Sequence, residues 1–376
     1  MSNKVVTSAL SRYAPLRYEA TRPFAMTLGP RFHARAKLGF KERSRFLLHE
    51  LLPAVRQALE ALGRPTGPGP GQAELGNVQV FGGYLAGGRI VFDFHKRLTM
   101  ALLETDVEAV PLSAIPRPAD SVYLHFGAGS GVSIEGDVIE GAFVTWSEGL
   151  GEPRRLIVDF VKDGQFSDRL FWLQESGEPM VGCSVDMSEP GLGVIAALEN
   201  SVREIEERNK AVFEQLAEAE RQLERKYGEV VSIPSPVSRI GQNLPLLKRG
   251  LALVVNCLLY LRVAPEDRSD EWDDRADACL VDQATNAEKP GTRRTAERTL
   301  LNQGYVKIRY VGHQFASTAA GQGLGEIGRS VATHFRRGHF RSQPYGPERS
   351  LRKVIFIPPV VVNPGQSELP GRIYEV

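Results

Sequence analysis

Three runs within residues 121–161 decide the fold: Ser121–Phe126 (SVYLHF), Val138–Trp146 (VIEGAFVTW) and Arg155–Val161 (RLIVDFV). Each is a short stretch of β-branched and aromatic residues bounded by glycines and acids, the pattern of a strand. Val132–Ile134 adds a shorter run, and Phe171-Trp172-Leu173 is a further candidate. Their spacing predicts a curled antiparallel sheet of four or five strands.

Upstream, residues 77–82 also read as a strand. Gly87–Glu104 fits either a strand through Ile90–Phe94 or a helix running on to Leu103. Phe46, Leu47, Leu51, Leu52, Val55, Leu59 and Leu62 form a helical stripe that stops at Gly63. Arg64–Gly71 (RPTGPGPG) reads as a flexible loop. Residues 1–38, with Pro15, Pro23 and Pro30, read as a loosely packed arm.

Downstream, Leu198, Val202, Ile205, Val212, Leu216, Leu223 and Tyr227 recur at steps of three and four, with Asn209 and Ala219 filling the seam. That block is coiled-coil-like. It either packs on its own domain or makes a homodimer through residues 198–227. A Pro-punctuated link, Ile233–Pro245, leads to an apolar helix, Leu246–Val263. Its uncharged core, Gly250–Leu261, is shorter than the roughly 20 residues a membrane span needs, so a buried core helix is expected and no membrane partner. In the tail, Tyr305–Val311 and Lys353–Val362 are the best strands, with helical character around Ile327–Phe335. The fold class is therefore α+β: a central antiparallel sheet with flanking helices, a long amphipathic helical block and a basic C-terminal α+β subdomain. The divisions fall at 1–71, 72–190, 191–264 and 265–376, the last an acidic linker followed by the basic domain.

The 376 residues carry 46 Lys+Arg against 45 Asp+Glu, and 42% are hydrophobic. Neither low hydrophobicity nor high net charge is present, so wholesale disorder is excluded. Three dispersed cysteines, Cys183, Cys257 and Cys279, build neither a disulfide framework nor a CxxC zinc half-site. Together with the absence of an apolar leader in Met1–Ala20, they point to a cytoplasmic protein. The near-zero total hides an asymmetry. Residues 288–353 hold thirteen bases and four acids, +9, leaving −8 for the rest. Just before them, residues 266–282 hold eight acids against Arg268 and Arg275. The basic stretch suits a polyanion; alternatively the acidic segment folds against it.

No motif fixes a reaction. Gly321–Gly325 (GQGLG) lacks the strand and helix of a phosphate loop. The seven histidines form no HExxH, so neither a metal nor a cofactor is expected. The most unusual composition is His334–Tyr345 (HFRRGHFRSQPY), where arginines and histidines interleave with aromatic rings. Cations for phosphates and ring faces for bases are what nucleic-acid binding requires. Arg336, Arg337, His339, Phe340, Arg341, Tyr345 and Arg349 are the candidate contacts. Two other readings stay open: a structural hairpin turning at Gly338 and Gly346, or a metal-independent ribonuclease with His339 as general acid/base and Arg337 stabilising charge.

The run from His334 through His339-Phe340, then Gly346, then Lys353–Asn363 (KVIFIPPVVVN), resembles the C-terminal signature of the second type V-A anti-CRISPR family. Weaker likenesses precede it at Ser121–Phe126, Gly141–Trp146, Leu156–Phe160 and Leu246–Pro265. The resemblance implies an inhibitor of Cas effector nuclease biosynthesis, carried by phages and plasmids. It implies recognition of the effector's nascent polypeptide during translation and loss of its mRNA. The partners would then be that nascent polypeptide and mRNA or ribosome, the last two engaged by the basic tail. Two departures bear on the target: Phe340 stands where the family has Trp, and the block from Asn200 to Gly228 is longer. The alternatives are the ribonuclease and a phage or plasmid nucleic-acid-binding protein.

Overall fold

The computed structural model describes residues 12–35, 42, 45–63, 68–108, 110–126, 132–134, 136–148, 154–166, 180–207, 210, 244–313, 315, 334–336, 338–347, 351–357 and 359–362. It is an α+β structure built on a mixed sheet. The strands are β1 (Val91–Phe94), β2 (Ser121–His125), β3 (Ser133–Ile134), β4 (Asp137–Ser147), β5 (Arg155–Lys162), β6 (Met180–Asp186), β7 (Arg268–Trp272) and β8 (Lys307–Val311). Their order is β6-β5-β4-β2-β1-β8-β7, with β3 on β4.

The runs at 121, 138 and 155 pair antiparallel, as their spacing predicts, and β6 extends the series. The centre differs from the expected all-antiparallel sheet, because β1 runs parallel to both β2 and β8. Parallel neighbours require a long crossover. Here the chain leaves β1 through helix α5 (Lys96–Leu103), so Gly87–Glu104 supplies both the strand and the helix between which its sequence was ambiguous.

Both faces of the sheet are covered. Over one lie α1 (Ala14–Thr21), α2 (Ala25–Ala34), α3 (Leu52–Ala61, entered through a π-helical turn, Leu47–Leu51) and α4 (Pro68–Ala86). They pack Tyr13, Leu16, Tyr18, Val55, Phe81 and Tyr84 on Val91, Tyr123, Phe143 and Ile308. On the other face α5, α6 (194–207) and α7 (Leu244–Val263) cover Phe92, Val122, Leu124, Val144 and Phe160. The alternation of strand side chains thus serves two cores. As expected, α7 is a buried core helix; a Cβ on its Gly250 would come within 2.7 Å of the Phe160 ring.

Several expectations are corrected. Within residues 1–38, Tyr13, Ala14, Leu16 and Tyr18 are among the most buried in the chain, so residues 12–34 are a packed layer rather than a loose arm. Pro15 falls in the first turn of α1, where its missing N–H costs nothing. The segment 77–82 is helical, and α4 begins at Pro68, inside the stretch read as a loop. Leu75, Val78, Phe81 and Tyr84, spaced by three, are its buried stripe. The acidic segment is no linker in its first part: β7 is a strand of the main sheet. Asp270 there meets Arg268 and Lys307 at 3.2 and 3.8 Å. Helices α8 (Ala278–Asn286) and α9 (Pro290–Asn302) follow as an outer pair. Phe335, read as helical, is in a strand. Phe171–Leu173, Gly321–Gly325 and most of the block beyond Glu207 lie outside the described residues.

Candidate functional site

The predicted basic segment forms paired strands. A hairpin joins β10 (His339–Tyr345) to β11 (Leu351–Ile357), and β9 (His334–Arg336) pairs with β12 (Val360–Val362). The structural-hairpin reading therefore holds at Gly346, at φ +81° in the turn, but not at Gly338, because β9 pairs with β12 and not with β10. His339, Arg341 and Gln343 alternate along β10 and are all exposed, one row of donors. Phe340 and Tyr345 are the register partners of Phe356 and Leu351, and Phe356 is buried in the main core. Gly338 is the tie to the body, because a Cβ there would lie 3.0 Å from Thr105 Oγ1 and Pro359 Cδ. Arg336 closes β9 opposite Val360. Arg337 and Arg349 lie outside the described residues. His334 and His339 sit on separate strands, and no metal-ligand cluster occurs among the described residues.

A second site combines four strands. His125 on β2, Asp93 on β1, Tyr310 on β8 and Ser269 on β7 are consecutive register partners, a polar row crossing the sheet. The N-terminal layer supplies its cover. Arg12 pairs with Asp93 at 2.7 Å, and the Tyr13 hydroxyl donates to the same carboxylate at 2.8 Å. The Tyr13 ring stands edge-on to His125, centroids 5.1 Å apart. Beyond Ser269, the hydroxyl lies 2.6 Å from His313 Nε2. Arg17 pairs with the buried Glu140, to which the Tyr123 hydroxyl also donates.

Burial sets the protonation of this cluster. It raises the Asp93 carboxyl, against the pull of Arg12 and Tyr13. It lowers His125 to about 3, helped by Arg12 and Arg17, so that imidazole is neutral. Burial raises Glu140 to about 7 against the opposing charge of Arg17. His95, after β1, is lowered by burial and by Arg97, and its Nδ1 caps α5 by accepting the Arg97 N–H.

A cleft of about 550 Å³ opens along the row at the carboxyl ends of β1 and β8. Arg12, Asp93, His95, Lys96, Glu271, Tyr310 and His313 provide its polar lining. The lining thus sets cationic and imidazole groups beside two carboxylates, an arrangement able to hold an anionic ligand. Sequence reasoning missed this site. Its one visible signal was a charged or imidazole residue near the end of an apolar strand, Asp93 in VFDF and His125 in SVYLHF.

Comparison with known proteins gives one family. The AcrVA2-like model, described as the anti-CRISPR type V subtype A2 family, matches residues 92–364. That stretch includes the ribbon and every member of the polar row, whereas Arg12, Tyr13 and Arg17 lie before it. Among solved structures, the crystal structure of AcrVA2 is similar at 14% identity and a TM-score of 0.41, covering 93% of this chain and 97% of that one. No curated protein matches.

Proposed function

The chain belongs to the AcrVA2-like anti-CRISPR family, and from that premise we propose that it blocks production of a Cas effector rather than the finished nuclease. It recognises a nascent polypeptide and lowers the cognate mRNA while translation proceeds. The observation that supports a role for the tail is the exposed row His339, Arg341 and Gln343 on β10. Alternate strand residues stand ~7 Å apart on one side. A ribbon fixed to the body through Gly338 and Phe356 therefore offers an RNA or ribosomal surface a line of donors at a constant angle. Arginine suits phosphate there through its planar fork.

The test is crosslinking and sequencing of associated RNA in cells, wild type beside an Arg336/Arg337/His339→Ala triple variant. Enrichment of one or a few translated messages, lost in the variant while its circular dichroism is unchanged, is the expected result. Wild-type protein that enriches no RNA overturns the reading. Cleavage of naked RNA without ribosomes, lost in His339→Ala, would replace it with the ribonuclease.

A further inference from the structure

We propose that the cleft at the carboxyl ends of β1 and β8 binds a nucleoside phosphate, with the phosphate at the start of α5 beside Lys96 and the sugar or base donors toward Glu271. This goes beyond the inhibitor reading and involves none of the ribbon residues.

Place is the first argument. In sheets with parallel strands, ligands collect outside the carboxyl ends, where helices begin. β1 leads through the single residue His95 into the first turn of α5, whose dipole and amides other than Arg97 N–H, which His95 Nδ1 already caps, favour an anion. The volume, about 550 Å³, lies in the range of small-molecule pockets, about 300–1,000 Å³.

The chemistry of the lining is the second. Lys96 is exposed and makes no ion pair among the described residues. The Arg12 guanidinium meets Asp93 yet remains 46% exposed, with N–H groups to spare. The imidazoles of His95 and His313 stand at the same mouth. Asp93 is already matched by Arg12 and Tyr13, which leaves the exposed Glu271 as the lining carboxylate with no ion pair among the described residues. Donors for an anion therefore stand with one acceptor for hydroxyls or amines, the pair of demands a nucleotide makes. A peptide would match its main chain to a strand edge, whereas here the wall is formed by strand ends.

Rigidity is the third. Gly312, at φ +99°, lies so close to α5 that a Cβ would meet Leu98 Cδ2 at 2.9 Å and His95 Cβ at 3.1 Å. His95 N–H also donates to the Val311 carbonyl at 2.9 Å. The two lips of the cleft are thus locked together, so its shape exists before a ligand arrives. Beside Asp93, the buried His125 leaves Nδ1 without a hydrogen-bond partner among the described residues, one strand from the lining.

Calorimetry and thermal shift on the full chain test the site with AMP, ATP, inorganic phosphate and a neutral tripeptide. Saturable binding of AMP or ATP is expected, weakened at least about tenfold by Lys96→Glu and more modestly by His313→Ala. The acidic replacement suits a helix's first turn, so the unliganded melting temperature of Lys96→Glu should not fall. Four results overturn the proposal: no saturable nucleotide binding, nucleotide binding indifferent to Lys96→Glu, phosphate alone binding as tightly as the nucleotides, or binding of the tripeptide instead. None of them depends on whether the ribbon engages RNA.

Discussion

Tyr13 and Asp93, 80 residues apart in sequence, meet in a buried hydrogen bond of 2.8 Å that fastens the N-terminal layer to the central strand. Tyr13→Phe removes the donor and leaves Asp93 held by Arg12 alone. Its cost should be about 1–2 kcal/mol in urea unfolding. Unchanged stability would mean that the layer is held by its apolar contacts only.

Two buried groups should pull stability in opposite directions with pH. His125 titrates near 3 in the folded chain, below its ordinary value of about 6.5. Its contribution is complete above about pH 6.5 and is lost as pH falls toward 3. Glu140 is raised to about 7 from an ordinary value near 4.3. Its contribution is complete at low pH and is lost as pH rises through about 7. Removing the imidazole in His125→Leu should therefore flatten the acid limb, whereas Glu140→Gln should steepen it. Parallel stability–pH curves for the two variants would contradict this assignment.

The crossing of α2 and α4 rests on paired glycines. A Cβ on Gly82 would sit 2.5 Å from the Gly29 carbonyl oxygen, whereas one on Gly76, in the same helix, meets nothing within 4 Å. Gly82→Ala should destabilise by about 1–3 kcal/mol. Gly76→Ala should stabilise by about 0.5–1 kcal/mol. Thermal melts of the two variants, moving to opposite sides of wild type, check the crossing.

Thiol chemistry reports on the core between the sheet and α5–α7, which holds both Cys183 and Cys257. Cys257 is fully buried, and burial together with Asp159 raises Cys183 to about 12. Cys279 is exposed on α8. A maleimide should add once to the native chain and three times in denaturant, by intact mass. Rapid double addition to the native chain would show that this core opens.

What the sequence reveals follows how local each cause is. The strands at 121, 138 and 155 are recognisable because β-branched residues and flanking glycines act within a few positions. The same reasoning holds for α7, whose apolar length is self-evident. It fails at α4, where Val78 and Val80 look strand-like and Gly76, Gly82 and Gly83 argue against a helix. There the glycines serve a close helix contact that only the folded chain displays. In α1 the buried Arg17, paired with Glu140, made a core helix look like surface. The polar row is the extreme case. Neither Asp93 nor His125 is singled out by the sequence alone, because their alignment with Tyr310 and Ser269 is a matter of register between distant strands.

The position of β1 sets an order of assembly. Its neighbours begin at Ser121 and Lys307, so the second arrives only after most of the chain has been made. Until residue 311 leaves the ribosome, one side of the central strand has no β8 to pair with, and Asp93 waits without Tyr310 beside it. A product cut short before Lys307 would carry that open edge of β1 into solution, an invitation to join other chains edge to edge. For this protein, completeness of its own synthesis is therefore a condition of solubility as well as of shape.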